Sequence, residues 1–105
     1  MEIKYDDLDL LELFYSDAES LTGNIEDGEL LYKKINGDFK VTLFLYIYEQ
    51  KINIFLQYKE KDITSIELEN ISNLKKVDNY LKIYENENEK ANIHFGEIFT
   101  IRVEN

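Results

Sequence analysis

The spacing of apolar residues changes along the chain, from a helical period near the N-terminus to alternation from about Ser20 onward. In the first segment they recur at three- or four-residue spacing, which predicts one face of a helix: Leu8, Leu11, Phe14 or Tyr15, and Ala18. Asp6 or Asp7 can cap this helix, and early acids suit the positive end of the helix dipole. We expect the helix to run to residue 16 or 17 and to pack against a sheet, with Leu10 and Leu13 on its other faces.

Alternating apolar and polar residues predict β-strands over most of the remaining chain. We expect six or seven strands, taken from residues 29–35, 39–48, 52–58, 63–69, 79–85, 91–95 and 98–103, with residues 21–25 as a further short candidate. Residues 70–76 are ambiguous, because Ile71, Leu74 and Val77 also fit one or two helical turns. The polar residues 86–90 are expected to form a solvated loop, and Gly96 to mark a hairpin or a bulge.

Two features indicate where the sheet turns and where its centre lies. Asn36 and Gly37 stand between two β-prone segments, and both tolerate the positive φ that a type I′ turn requires at its two central positions. In residues 39–48 one face is apolar throughout, and the other becomes apolar from Phe44 onward. This pattern is typical of a central strand that is covered on both sides.

These elements predict a single domain over residues 1–105, of the α+β class and mainly β. The N-terminal helix would pack on an antiparallel meander of six or seven strands, arranged as a curled sheet, a small barrel or a sandwich. The apolar fraction of 44%, with eight Tyr and six Phe, is enough for one hydrophobic core despite 32% charged residues.

The negative charge is concentrated in the first third of the chain, and this narrows the choice of partners. The net charge is −10, yet residues 31–105 contain twelve acids and eleven bases, whereas residues 1–30 contain ten acids and one base. Such a segment disfavours direct contact with nucleic acid or an anionic membrane and attracts a basic protein. Nine of its acids are our candidate partner-binding residues: Asp6, Asp7, Asp9, Glu12, Asp17, Glu19, Glu26, Asp27 and Glu29.

The sequence also allows predictions of the cellular compartment and the oligomeric state. The sequence has no Cys, which excludes a disulfide framework and a thiolate metal site. Its first residues lack the pattern of a signal peptide, and its longest apolar stretch, residues 43–48, is too short to span a bilayer. We expect a cytoplasmic protein that is a monomer or a weak homodimer, since acidic repulsion opposes self-association.

Catalytic chemistry finds little support in the sequence. His94 is the only histidine, and on a strand it would face away from its apolar neighbours, as a surface or interfacial imidazole rather than a base or a metal ligand. Asp7 with Asp9, or Asp27 with Glu29, could chelate a hard cation, but the spaced ligands of a calcium loop are absent. We therefore expect no enzymatic activity, no metal and no cofactor.

Four tyrosines in the β segments are candidates for a secondary contact: Tyr46, Tyr48, Tyr80 and Tyr84. A stacking platform for bases or sugars is one interpretation of them, but nucleic acid would require basic residues around it. Coverage of the second face of the sheet, with the hydroxyl groups at its rim, is the more ordinary role. Tyrosine is also enriched in protein interfaces, which keeps these residues as a second contact surface.

The run Phe14-Tyr15-Ser16-Asp17-Ala18-Glu19, followed by consecutive strands and an apolar C-terminal strand, resembles a known group of proteins. It is similar to the small β-rich immunity proteins encoded beside polymorphic or contact-dependent bacterial toxins. The resemblance implies a protein that binds and blocks a toxin domain, often a nuclease, and members of this group commonly carry an acidic face. It transfers no individual contact residue, because these proteins bind their toxins through differing surfaces.

The charge and the resemblance lead to one functional hypothesis and leave alternatives open. We expect an immunity protein that neutralises a cognate, basic toxin by occluding its active cleft, since a basic cleft attracts an acidic face. One alternative is a phage-type acidic protein that imitates DNA and inhibits a nucleic-acid-binding protein. Another is a domain that binds a small ligand or carbohydrate through the tyrosines, and a third is a subunit of an assembly with the acidic segment as its docking element.

Overall fold

The protein contains one helix and a series of short strands. The structure is a computed structural model that describes residues 1–104. The helix α1 spans Asp7–Phe14, and a 3-10 turn covers Ile25–Asp27. The strands within the described residues are β1 (Glu19–Ser20), β2 (Glu29–Asn36), β3 (Phe39–Tyr46), β4 (Lys51–Tyr58), β5 (Lys61–Leu68), β6 (Asn73–Val77), β7 (Tyr80–Glu85), β8 (Asn88–Phe95) and β9 (Phe99–Val103).

The strands form two antiparallel sheets in which each strand pairs with its neighbours in sequence. One sheet has the order β1-β2-β3-β4-β5 and the other the order β6-β7-β8-β9. The mainly β meander with an N-terminal helix is therefore confirmed. Within residues 1–104, nine strands replace the expected six or seven, and the two sheets do not close into a barrel.

One hydrophobic core lies between the sheets and the helix. The five-stranded sheet supplies alternate side chains of its central strands, among them Val41, Leu43 and Ile54, and the other sheet supplies Ile83 and Ile93. The face of β3 that begins at Phe39 is buried as predicted, and β3 is the central strand of its sheet. Its opposite face is only partly covered, since Phe44 and Tyr46 remain half-buried.

The helix begins as expected but turns a different face to the core. The side chain of Asp6 accepts a hydrogen bond of 2.9 Å from the Leu8 N–H, which is the predicted cap. Phe14 is buried as predicted, but Leu8 and Leu11 are exposed and Leu10 and Leu13 are buried in their place, so the predicted face was wrong for these four leucines. The helix ends early, at Phe14, because Tyr15 adopts a left-handed conformation with φ 56°.

The rings around Phe14 give the physical reason for this orientation. Its ring lies 5.4 Å from that of Tyr32 in one sheet and 4.9 Å from that of Phe95 in the other. Aromatic pairs at such distances add to the free energy gained by burying their area. Packing of Phe14 between the sheets therefore decides which face of this short, broadly apolar helix is buried.

The predicted hairpin at Asn36 and Gly37 is present, with its turn shifted by one residue. Asn36 pairs with Phe39 as the last residue of β2, so Gly37 and Asp38 form the two-residue turn. Only Gly37 of these two has a positive φ, 63°, as in a type II′ turn. Gly96 likewise lies in a hairpin turn, since Phe95 pairs with Phe99.

Two local predictions were wrong, and the ambiguity over residues 70–76 is resolved. Residues 21–25 form a bend rather than a strand, because the Asn24 side chain accepts from the Glu26 N–H and starts the 3-10 turn. Residues 73–77 form β6 rather than helical turns, since they pair with β7 along their whole length. The expected loop over residues 86–90 is a two-residue turn, and β8 begins at Asn88.

The N-terminal segment connects the two sheets and fixes the start of the helix. The Ile3 N–H donates to the Ile47 carbonyl after β3, and the Lys4 N–H donates to the Ser72 carbonyl before β6. The Leu74 N–H in turn donates to the Lys4 carbonyl. These bonds cover part of the free edge of β6 and hold the acidic helix at one end of both sheets.

Candidate functional site, an acidic cleft beside the helix

A surface cleft of about 470 Å³ lies between α1 and the segment that follows it. Its walls include side chains from the N-terminal segment, the helix, the 3-10 turn and β2: Tyr5, Asp7, Leu8, Asp17, Ile25 and Tyr32. The chain reverses direction after α1 at the left-handed Tyr15, which brings residues 16–18 back alongside the helix. The cleft thus joins two predicted partner-binding acids, Asp7 and Asp17, that are ten positions apart in sequence.

Two phenol groups lie beside these carboxylates. Burial, and then the negative charge of Asp7, raises the pKa of Tyr5 to about 12. Burial, and then the neighbouring Tyr5, Asp7 and Asp17, raises the pKa of Tyr32 above its ordinary value. Both hydroxyls therefore keep their protons at neutral pH and add neutral oxygen atoms to an acidic site.

Apolar side chains surround this acidic centre and are open to solvent. Leu8 is 57% exposed, Ile25 is 55% exposed and Leu11 is 39% exposed, and all three line the cleft. Exposed apolar side chains grouped around polar ones are typical of protein-binding surfaces. The cleft can therefore offer both charge attraction and apolar contact to another protein.

Glu26 and Asp27 extend the acidic surface beyond Ile25. Both are exposed on the 3-10 turn. The Thr22 hydroxyl donates to the Asp27 carboxylate over 2.7 Å, and the Tyr48 hydroxyl donates to the Glu26 carbonyl over 3.1 Å. These bonds fix the turn that carries Ile25, Glu26 and Asp27 next to the cleft.

The remaining candidate acids have partners within the protein. Asp6 caps the helix, and the Asp9 carboxylate accepts from the Lys76 N–H over 3.3 Å. Glu12 lies 3.8 Å from the Lys76 ammonium, so these two acids bind the helix to β6.

On the first sheet, Glu19 lies 3.5 Å from the Lys33 ammonium. Glu29 is half-buried on β2, opposite Tyr46. The structure therefore brings Asp7 and Asp17 into one cleft and places Glu26 and Asp27 on the turn whose Ile25 lines that cleft, while the other acids are distributed around the helix and the first sheet.

The four candidate tyrosines are divided between the two sheets. Tyr46 lies on β3 of the five-stranded sheet and Tyr48 follows that strand, whereas Tyr80 and Tyr84 lie on β7 of the other sheet. The ring of Tyr80 packs 4.6 Å from that of the half-exposed His94. Tyr48 contacts the acidic turn through its hydroxyl.

Within residues 1–104, no group of three or more His, Asp and Glu side chains is arranged to hold a metal ion. None of the helices in that part of the chain is long and apolar enough to span a membrane.

Sequence reasoning missed three cleft residues, Tyr5, Tyr32 and Ile25, and assigned the lining residues Leu8 and Leu11 to the core. No local pattern identifies Tyr32, because its alternation with Leu30 on β2 marks it only as an inward residue. The nearest signal for Ile25 is its position beside Glu26 and Asp27, which places an apolar residue within an acidic run.

Comparisons with known proteins show a similarity of fold. No protein-family model matches the sequence, and a search of curated proteins also gives no match. A chain of the contact-dependent growth inhibition toxin–immunity protein complex from Klebsiella pneumoniae 342 matches with a TM-score of 0.76 and 17% identity. The match covers 99% of this chain and 98% of that chain. The chain therefore shares its fold with a protein of a toxin–immunity complex, in agreement with the resemblance found in the sequence.

Proposed function

We propose that this chain is an immunity protein, which binds a cognate bacterial toxin domain and neutralises it by occluding its active cleft. The observation that carries the proposal is the likeness, over nearly the full length of both chains, to a protein of a toxin–immunity complex. The chain would act in the cytoplasm as a non-enzymatic inhibitor.

A toxin–immunity complex contains a toxin and its inhibitor, and two observations favour the inhibitor role for this chain. The single histidine packs on Tyr80, and within residues 1–104 no side-chain hydrogen bond or salt bridge joins it to a carboxylate that would orient a catalytic base. The acidic residues of the first third would repel a phosphate-bearing substrate, whereas a basic toxin cleft would attract them. A basic toxin, such as a nuclease, is therefore the partner that we propose.

The acids around the cleft are proposed to form the main interface. Asp17, Glu26 and Asp27 are exposed and have no lysine or arginine within salt-bridge distance in the described part of the chain. They lie beside Leu8 and Ile25, which gives the surface an apolar component. Steering by these charges would speed association, and burial of the apolar side chains would slow dissociation.

The test uses purified toxin domain encoded by the gene beside that of this chain. Reversing the charge of Asp17, Glu26 and Asp27 to Lys should lower the association rate about tenfold or more at low salt and flatten its salt dependence. The control reverses three exposed acids in turns at the far end of the strands, Asp38, Glu60 and Glu97. This control changes the net charge equally but should affect the rate much less.

Three outcomes would contradict the proposal. Absence of binding by the wild-type protein would remove the immunity function. Equal effects of the two triple variants would show that net charge, rather than this surface, governs association. Tight binding to a host nucleic-acid enzyme instead of the toxin would favour the DNA-mimic alternative.

A further inference from the structure

The Tyr32 hydroxyl lies at the acidic cleft without a partner among the described residues. Tyr32 is only 3% exposed and lines the cleft, yet its hydroxyl takes part in none of the side-chain hydrogen bonds within residues 1–104. The oxygen itself is not a buried unsatisfied atom, so water reaches it from the cleft, and a ligand donor that replaces this water gains a hydrogen bond. Burial raises the pKa of Tyr32 most, and Tyr5, Asp7 and Asp17 lie close enough to raise it further through the negative charge of their ionised forms. All three line the same cleft.

We propose that the cleft receives one arginine side chain of the toxin. The guanidinium group would lie between the Asp7 and Asp17 carboxylates, with an N–H directed at the Tyr32 hydroxyl oxygen. Arginine presents five donors in a planar fork, which suits several oxygen acceptors better than the compact ammonium of lysine. Its aliphatic stem would pass along Leu8, Leu11 and Ile25.

The composition of the cleft argues for a side chain of a protein rather than a free ion. A hard divalent cation takes six or more oxygen ligands, and no cluster of three carboxylates is present in residues 1–104. The exposed apolar side chains of Leu8, Leu11 and Ile25 offer no ligand to such an ion. They would instead pack against the aliphatic stem of an arginine and the segment around it. A volume of about 470 Å³ leaves room for the side chain and for part of its neighbours.

This inference rests on the proposed immunity function, and the test separates the two. The variant Asp7→Asn with Asp17→Asn removes both charges at nearly constant shape, and Tyr32→Phe removes only the hydroxyl. The matched control, Asp38→Asn with Glu97→Gln, makes the same change of net charge in distant turns. Calorimetry with the purified toxin domain gives the dissociation constants, and thermal unfolding verifies that each variant folds.

We expect the dissociation constant to rise about a hundredfold for the double Asn variant, from the loss of buried charge pairs. Tyr32→Phe should raise it about threefold to tenfold, since a single hydrogen bond is lost. The control should stay within about twofold of the wild type. A double-mutant cycle between Asp17→Asn and alanine variants of each toxin arginine should then find one strongly coupled arginine.

Failure of the arginine site and failure of the proposed immunity function would give different results. If the wild-type protein fails to bind the toxin domain, the proposed function fails and the arginine site fails with it. If the wild-type protein binds but the cleft variants bind equally well, only the arginine site is overturned. The same conclusion follows if no toxin arginine couples to Asp17, or if a lysine does so instead.

Discussion

The ammonium group of Lys34 lies 3.0 Å from the backbone carbonyl oxygen of Leu13, and so donates a hydrogen bond to the last turn of α1. The same nitrogen lies 4.4 Å from the centre of the Tyr15 ring. A residue of β2 thus caps the helix at its negative end and contacts the residue that reverses the chain. This contact holds the helix and the segment of Asp17 against one sheet.

Replacement of Lys34 by Met should lower the free energy of unfolding by about 1 to 2 kcal/mol, because the helix cap and the contact with Tyr15 are both lost. The measurement is urea denaturation. Lys33→Met is the matched control, since Lys33 forms only an exposed ion pair with Glu19 and should cost less than about 1 kcal/mol. Equal losses from both variants would show that the Lys34 cap has no special role.

Alanine substitutions at Gly28 and Gly37 distinguish the cost of a steric clash from the cost of a positive φ. Both have a positive φ, but an added Cβ at Gly28 would lie 2.7 Å from the Tyr48 ring, whereas nothing lies within 4 Å at Gly37. Gly37→Ala should cost about 1 kcal/mol in unfolding free energy, and Gly28→Ala about 1 kcal/mol more. The excess should vanish when Tyr48 is also replaced by Ala, and its persistence there would contradict the clash.

Asn36 connects the ends of two hairpins that belong to different sheets. Its side-chain amide donates to the Glu97 carbonyl over 2.7 Å and to the Gly96 carbonyl over 3.2 Å. Asn36→Ala should therefore destabilise the protein by about 1 to 2 kcal/mol and loosen the turn between β8 and β9. Urea denaturation and amide exchange at residues 96–98 measure both effects. The variant Gln57→Ala, which loses only an exposed bond to Asp62, is expected to change stability less.

Alkaline pH should destabilise the protein through Tyr5 and Tyr32. In the unfolded chain a tyrosine ionises near pH 10, whereas folded Tyr5 keeps its proton up to about pH 12 and the pKa of Tyr32 is also raised. Between pH 10 and pH 12 the unfolded state therefore binds fewer protons, and the free energy of unfolding falls as pH rises. Denaturation at several pH values should show a shallower fall for Tyr5→Phe with Tyr32→Phe. An unchanged slope would contradict the burial of these phenols.

The strands could be predicted where side chains alternate strictly, and less well where pairing overrides local pattern. One face of β3 and of β4 is apolar at every second position, so their inward faces were evident even where Phe44 and Tyr46 make the other face of β3 apolar as well. The spacing of Ile71, Leu74 and Val77 also fits a helix, and only pairing with β7 makes residues 73–77 a strand. Asn36 has turn chemistry, yet the pairing of Leu30 with Leu45 and Tyr32 with Leu43 fixes a register in which it ends the strand.

The site was predictable in its charge but not in its geometry. The acidic excess of residues 1–30 is visible in the sequence, and so are Asp7 and Asp17 as members of it. The pairing of Asp9 and Glu12 with Lys76 joins residues more than sixty positions apart, which no local pattern encodes. The exposed Leu8 follows from the packing of Phe14 between the sheets, a tertiary effect that decides which of two apolar helix faces remains free.

Co-expression in a sensitive bacterium shows whether this chain neutralises a toxin. The toxin domain encoded beside the chain is induced alone, with the wild-type chain, or with the Asp17, Glu26 and Asp27 to Lys variant. We expect growth arrest with the toxin alone, growth with the wild-type chain and weakened protection with the variant. Arrest in the presence of folded wild-type chain, at levels equal to those of the toxin, would contradict this expectation.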